Sequence, residues 1–396
     1  MPEVATARGV HARLSAFYFF FYAQLGAMLP YWALWLRDRG YGAEQIGGVF
    51  AVLGLSRLFV PVLWGWFADR SGRRLQIIRA TTAAALLCFA LFPATDGYAA
   101  LLALTAVFAL FWHAAMPQFE VVTLDHLRRT GQDYSRIRLW GSVGFVASVT
   151  GIGFLLDRVD IAWLPWLGVC LIAGMLGAGL ATREIVHDAE VDDPALSLWR
   201  VLRRPSVVGL LLICFLSQFS FAPYYGFFSL FLDQHGYGRG QTGLLWALGV
   251  VAEIWVFLYT GRLFARFGVR RVMMFAMACT ALRWFGLPVF VDNVAVLVLL
   301  QVLHFASFGL YHASAIACIQ REFPGRLHGR GQALYSAVSF GAGGAIGSYA
   351  AGALWDGAGP DLVFALAGIA GAAGLVVAAW LLRRDAPVPA GTGAAG

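Results

Sequence analysis

One stretch of this chain occurs twice. Residues 36–74 read LRDRGYGAEQIGGVFAVLGLSRLFVPVLWGWFADRSGRR, and residues 232–270 read LDQHGYGRGQTGLLWALGVVAEIWVFLYTGRLFARFGVR. A shift of 196 residues, close to half the chain, places Gly40 on Gly236, Tyr41 on Tyr237, Gly42 on Gly238, Gln45 on Gln241, Gly47 on Gly243, Gly65 on Gly261, Arg70 on Arg266 and Gly72 on Gly268. Each copy is an apolar run, a Gly-rich polar turn, a second apolar run of about 22 residues and a basic cluster, and a run of that length with almost no charge spans a bilayer. The chain is therefore expected to fold as two related halves, each threaded repeatedly through lipid.

Composition agrees. Of 396 residues 60% are hydrophobic and 13% charged, more apolar surface than a water-soluble domain of this size can hide. Apolar runs fall at 14–36, 43–67, 77–95, 98–122, 137–157, 161–182, 206–232, 240–264, 271–291, 294–318, 329–355 and 360–382, which predicts an all-α integral membrane protein of twelve transmembrane helices. The expected organisation is an N-terminal six-helix half at 1–182, a cytoplasmic linker at 183–205, a C-terminal six-helix half at 206–384 and a disordered tail at 385–396. The first run follows Arg8 and Arg13 but is too long for a cleaved leader and contains Gln24, so it reads as a retained helix.

The 29 basic residues are all Arg, with a formal net charge of +7. They concentrate in alternate connections, from Arg70, Arg73, Arg74 and Arg79 to Arg262, Arg266, Arg270 and Arg271, while the other connections hold Arg37, Arg39, Arg158 and Arg239. The asymmetry predicts a multi-pass inner-membrane protein with both termini cytoplasmic, and it accounts for the basic balance without a nucleic-acid partner. Cys88, Cys170, Cys214, Cys279 and Cys318 lie in apolar runs without paired spacing and read as small buried hydrophobes. No metal-ligand spacing, nucleophile motif or phosphate loop is present; Gly341, Gly343, Gly344 and Gly347 precede no Lys and read as helix-packing glycines. Neither cofactor, metal nor enzymatic activity is expected.

The segment GWFADRSGRR, residues 65–74, resembles the loop between helices two and three of the major facilitator superfamily, whose pattern here falls on Gly65, Asp69, Arg70, Gly72, Arg73 and Arg74. With twelve runs, a central connection and a parallel half-repeat, the resemblance covers nearly the whole chain; this superfamily is itself a known example of such repeats. The resemblance implies a gating role for that loop. The second copy has Ala265 where Asp69 would fall, so the acidic partner of the loop exists once.

DYSRIRLWGSVGF, residues 133–145, with Glu120 upstream, is similar to helices four and five of the lactose permease branch and puts Glu120 and Arg138 on its sugar-binding pair. ALRWFG and LHFASFG are similar to its ninth and tenth helices and put Arg283 and His304 on its proton-coupling residues. Ser307 stands where that branch has its proton-carrying Glu, and Gln301 where it has a Lys. YWALWLRDRGYGAEQIG, LHFASFGLYHASA and GRGQALYSAVSFGAGGAIG look more like the 3-phenylpropionate permeases of the same branch.

Ionisable groups inside spans cost on the order of 2.5 to 3.5 kcal/mol each and are functional candidates by default. Here they are Arg57, Glu120, Arg138, Glu253, Arg283, His113, His304 and His312. Glu253, the repeat equivalent of Arg57, is expected to carry the proton in place of Ser307, with His304 and Arg283 in the coupling group; a purely structural salt bridge to Arg57, Arg138 or Arg283 is the bland alternative. Glu120, Arg138, Arg57, Gln24, Gln218 and His312 are the expected substrate ligands, the guanidinium groups because they grip a carboxylate in a two-point fork. A structural role for Glu120 and Arg138 weighs equally. Aromatic residues crowd the first helix of each half and are expected mainly to pack or to face lipid.

The expected function is proton-coupled import of a small organic solute such as an aromatic carboxylate by alternating access, carried out by a monomer whose partners are substrate, protons and lipid. A sugar or nucleoside proton symporter, a drug or metabolite exporter and a non-transporting membrane sensor are the alternatives.

Overall fold

The computed structural model describes residues 7–130, 133–183 and 198–382. The expected tail at 385–396 and residues 184–197 of the expected linker lie outside the described residues. All regular elements among the described residues are helices. The first half contains α1 (Ala7–Asp38), α2 (Ala43–Ser71), α3 (Arg74–Leu91), α4 (Tyr98–Thr130), α5 (Tyr134–Leu156) and α6 (Leu164–Ala181). After a short helical piece, Leu198–Leu202, the second half contains α7 (Pro205–Gln234), α8 (Arg239–Phe257), α9 (Val269–Phe290), α10 (Val294–Glu322), α11 (segments His328–Ser336, Ala337–Gly343 and Gly344–Ala358) and α12 (Pro360–Leu381).

Ten of these helices, α2 to α10 and α12, are long and apolar enough to cross a membrane. The other two carry the polarity the site needs: α1 is rich in Tyr and Trp, and α11 begins on the polar segment His328–Ser336. Helices α1 and α4 outrun their apolar windows, because hydrophobicity marks only the length facing hydrocarbon while the backbone continues its own hydrogen bonds into water. Asp133 starts α5: its carboxylate accepts from the Ser135 N–H at 2.9 Å, and that bond holds it below the usual carboxylate range.

The repeated glycines have repeated geometry. Gly40 and Gly236 turn the chain at φ +83° and +77°, and Gly72 and Gly268 at +64° and +80°, a left-handed region that strains any side chain. The repeated Gln45 and Gln241 accept from the N–H of Gly42 and Gly238 at 3.0 and 2.9 Å, closing the first turns of α2 and α8.

The halves meet along three seams, α2 against α11, α5 against α8 and α1 against α7. At the end carrying the glycine turns these seams are tight: a Cβ on Gly47 would lie 2.6 Å from the Ser348 carbonyl oxygen, and one on Gly243 would lie 2.4 Å from that of Val149. One hydrophobic core accordingly runs through the first half and into the glycine-turn end of the second, including Phe221, Trp246, Trp284, Trp355 and Phe364. A separate core holds the arginine-rich end of the second half, around Leu210, Met273, Tyr311, Ile319 and Phe323. The molecule is thus joined at the glycine-turn end and divided at the arginine-rich end.

Candidate functional site

Helices α9 and α10 place one guanidinium at the centre of the second half. Arg283 has no exposed surface and lies over the rings of Tyr224 (4.4 Å), Trp284 (4.5 Å) and Phe221 (5.7 Å). Its Nη2 donates to Gln301 Oε1 at 2.8 Å, and its Nη1 donates to His304 Nδ1 at 2.9 Å and to Ser307 Oγ at 3.4 Å. Gln301, His304 and Ser307 follow one another at three-residue steps and so present one face of α10. A guanidinium only donates, so His304 Nδ1 must accept, and the network assigns the ring proton to Nε2. Nε2 is 3.6 Å from Glu253 Oε2. Glycines bring α8 close enough for this contact: a Cβ on Gly249 would lie 3.2 Å from His304, and one on Gly309 3.2 Å from Glu253 Cγ.

The line Glu253–His304–Arg283 is continued along α10, whose middle relaxes into a π-helix over Phe305–Leu310. With that wider turn His304, Phe308 and His312 stack as successive rungs, 5.3 and 5.9 Å apart and nearly parallel. His312 Nδ1 ends the ladder 2.8 Å from the Tyr335 hydroxyl of α11. A second π-helical stretch, Ala337–Gly343, follows at once.

The first half contributes two further guanidinium groups. Arg57 sits where the regular helix Ala43–Ser56 loosens, with its Nε 3.3 Å from His113 Nε2 and its charge 5.6 Å from the Phe340 ring. Ser56 already donates to Leu53 O at 2.8 Å, so the 2.6 Å contact between Ser56 Oγ and His113 Nδ1 carries the histidine's own proton, leaving Nε2 to accept from Arg57. Arg138 lies 4.1 Å over the Tyr22 ring. Among the described residues neither Arg57 nor Arg138 has a carboxylate partner within ion-pair distance. Tyr22 feels Arg138, Glu120, Glu253 and Arg57, and Tyr225 feels Glu253, Arg283 and Arg57, so these two tyrosines stand among the charges of both halves.

Several sequence expectations are rearranged. Glu120 and Arg138 do not pair: Glu120 accepts from the Tyr134 hydroxyl at 2.6 Å. Glu253 meets a histidine rather than Arg57, Arg138 or Arg283. Gln24 is fully buried inside the first half, its amide oxygen near Gly168 of α6, and Gln218 is buried on α7. Both have side-chain atoms without a hydrogen-bond partner. The aromatic residues of α1 mostly pack in the core, as where Trp32 stacks on Trp35 and on the edge of Phe92. The loop residues stay within their half: Asp69 pairs with Arg74, Arg74 also reaches Gln118, Arg70 lies over Trp66 and Arg73 is exposed. Gly65 has only the Gln118 amide near its missing Cβ, at 3.6 Å, so it permits no close backbone approach, and Gly72 earns its place by its positive φ. Phe308 and Tyr335 were not singled out by the sequence, and Tyr22 only as one of the aromatic residues crowding the first helix. Their signal, an aromatic four residues or one element away from a charged group, is too common in apolar helices to select them.

Three arginines and two glutamates give this region one surplus positive charge when all are ionised, distributed over rings and neutral imidazoles. A surplus of that sign is complementary in charge to a small anion, and the rings beside it are flat and apolar.

The profile of the MFS_1 like family matches residues 11–366. Among curated proteins, the probable 3-phenylpropionic acid transporter of Escherichia coli (strain K12) is 29% identical over 357 residues, covering 89% of this chain and 93% of that protein. The maltose permease of Geobacillus stearothermophilus is 26% identical, covering 83% of each. Among solved structures, the crystal structure of the nucleoside transporter NupG superposes with a TM-score of 0.80 over 95% of this chain and 100% of that one, at 15% identity. The twelve helices, the duplicated halves and the family match together make the chain a multi-pass membrane transporter, not an enzyme, and a member of the MFS_1 like family of the major facilitator superfamily.

Proposed function

We propose that this transporter imports a small aromatic monocarboxylate, of the 3-phenylpropionate kind, together with a proton. The observation that carries the reading is the pair of guanidinium groups without a carboxylate partner, Arg57 over the Phe340 ring and Arg138 over the Tyr22 ring. A forked Arg contact holds the carboxylate and the rings take the aryl group. The name of the Escherichia coli relative supports the same substrate class.

Glu253 is the proton site and His304 its link to Arg283. Because His304 Nδ1 is occupied by the Arg283 donor, a proton entering this line is most simply held on the Glu253 carboxyl. Neutralising Glu253 raises the positive surplus felt by the substrate anion, so proton and anion strengthen each other's binding; linkage makes that coupling reciprocal. Symport follows if the doubly loaded protein changes face more readily than the half-loaded one. Glu120 with Tyr134, beside Arg138, favours a second reading as a nucleoside or sugar symporter, in which the N-terminal half supplies hydroxyl ligands.

We place both termini in the cytoplasm of an inner-membrane protein, by the Arg asymmetry, with residues 183–205 linking two six-helix domains and a single chain as the working unit. The glycine-turn end then faces outward and the loop from Gly65 to Arg74 inward, where its Asp69–Arg74 pair is poised for a state with the inner side closed. The test is proton movement in vesicles carrying the purified protein. Adding 3-phenylpropionate outside should alkalinise the medium, and Glu253→Gln should lose uphill uptake while keeping exchange of internal for external substrate. Full uphill uptake by Glu253→Gln would refute the carrier, and alkalinisation by a nucleoside or galactoside alone would favour the second reading.

A further inference from the structure

Two aspartates outside the central site occupy matching places in the repeat. A shift of 199 residues carries LLD at 155–157 onto LWD at 354–356, so Asp157 at the end of α5 corresponds to Asp356 near the end of α11. Each crosses to the opposite half and meets the first amides of its second helix. Asp157 accepts from the N–H of Arg239 at 2.8 Å and of Gly240 at 3.0 Å, at the start of α8. Asp356 accepts from the N–H of Ala43 at 3.0 Å, at the start of α2, and from Arg37 at 3.2 Å. The first amides of a helix have no partner within it and carry the positive end of its dipole, so a carboxylate there is held by charge as well as by hydrogen bonds. The local sequences are built for the contact. Gly42 and Gly238 precede these amides, and the Gln45 and Gln241 side chains take the N–H groups next to them, leaving the following amides for the aspartates. Arg239 Nη1 and the Tyr31 hydroxyl add bonds to Leu156 O and Arg239 O around the α5–α8 contact.

We propose that Asp157 and Asp356 are a symmetry-related pair of latches that hold the glycine-turn face shut, each capping the opposite half's second helix, and that both must release before that face opens. Neither residue touches the central site, and neither helix can keep its cap if the halves swing apart at this end. The consequence for transport rests on the alternating-access reading above, but the latch is read by distance and needs no substrate. In a background with the five native cysteines replaced by Ala, spin labels are placed at Ala162→Cys and Asp292→Cys, exposed positions of opposite halves at this face. Pulsed electron resonance then measures the separation across the face in liposomes. The parent should show one short distance. Asp157→Ala combined with Asp356→Ala should shift the main population to longer distances. Each single Ala variant should shift it by less than half as much, and the Asn variants, which keep an acceptor but lose the charge, should fall between parent and Ala. Should the double variant not remain monodisperse, the single Asn and Ala variants decide. An unchanged distance in all folded variants would overturn the latch. Failure of the substrate proposal would instead leave these shifts intact and abolish 3-phenylpropionate uptake in the parent.

Discussion

A guanidinium buried among rings still has five N–H donors to satisfy, and the partners chosen for them separate a structural arginine from a binding one. Arg283 spends two of its nitrogens on Gln301, His304 and Ser307 and covers three aromatic faces. Arg57 has a single neutral imidazole and Arg138 a tyrosine ring. Substitution should therefore act differently at the three sites. Losing one charge-assisted contact to a carboxylate is worth about 1.5 to 3 kcal/mol, roughly 10- to 150-fold in an equilibrium. Arg57→Ala and Arg138→Ala are expected to raise the half-saturating substrate concentration by about that factor, with Arg57→Lys intermediate because the point charge survives without the fork. Arg283→Ala leaves the buried His304 Nδ1 without its donor and Gln301 Oε1 with the Tyr224 hydroxyl in place of two donors. It should lower the thermal midpoint of the detergent-solubilised protein as well as uptake, whereas the other two variants should move uptake alone. Equal thermal loss in all three would show that Arg57 and Arg138 are structural.

The same contrast applies to whole helices. In α10 a regular α-helix turns about 100° per residue, so rungs four residues apart drift by about 40° around the axis; the π-turn over Phe305–Leu310 removes that drift and stacks His304, Phe308 and His312. A π-turn amounts to one inserted residue, which gives a direct test. Deleting Ala306 should restore α-geometry, leave His304 and Phe308 three residues apart and so turned by about 60° from one another, and abolish uphill uptake while the protein stays folded and monodisperse. Uptake unaffected by the deletion would show that the ladder is incidental. Such a bulge was not legible in the sequence, because one extra residue barely disturbs an apolar pattern. The duplication, the twelve helices and the glycine turns were legible, because repeat spacing, apolar length and left-handed turns each restrict residue types strongly. The ionisable inventory was legible for the same reason, since a charge in an apolar run stands out. Its pairing was not: Glu253 had three arginines within plausible reach, and its meeting with His304 depends on Gly249 and Gly309 letting α8 and α10 close on each other.

At the scale of the whole molecule the two cores describe a state. Burial continues across the halves at the glycine-turn end and stops at the arginine-rich end, so the seams at one end hold while the other stands apart. The α2–α11 seam leaves little room for a side chain in that arrangement, because backbone faces backbone. A Cβ on Gly352 would lie 2.5 Å from the Ala43 carbonyl oxygen and 2.8 Å from Gly47 Cα, with no flexible side chain available to move aside. A larger residue there cannot be accommodated while this end is closed, and the three atoms nearest its Cβ, all of Ala43 and Gly47, belong to the half that moves away on opening. Gly352→Val is therefore expected to disfavour the state seen here without harming either half's own packing. Its separation between labels at Ala162→Cys and Asp292→Cys should lengthen, substrate should still bind from the glycine-turn side, and net uptake should fall because closure after binding is blocked. Binding lost together with uptake, at an unchanged label distance, would mean instead that the substitution had disrupted α2 itself and that the glycine seam is not where the transporter closes.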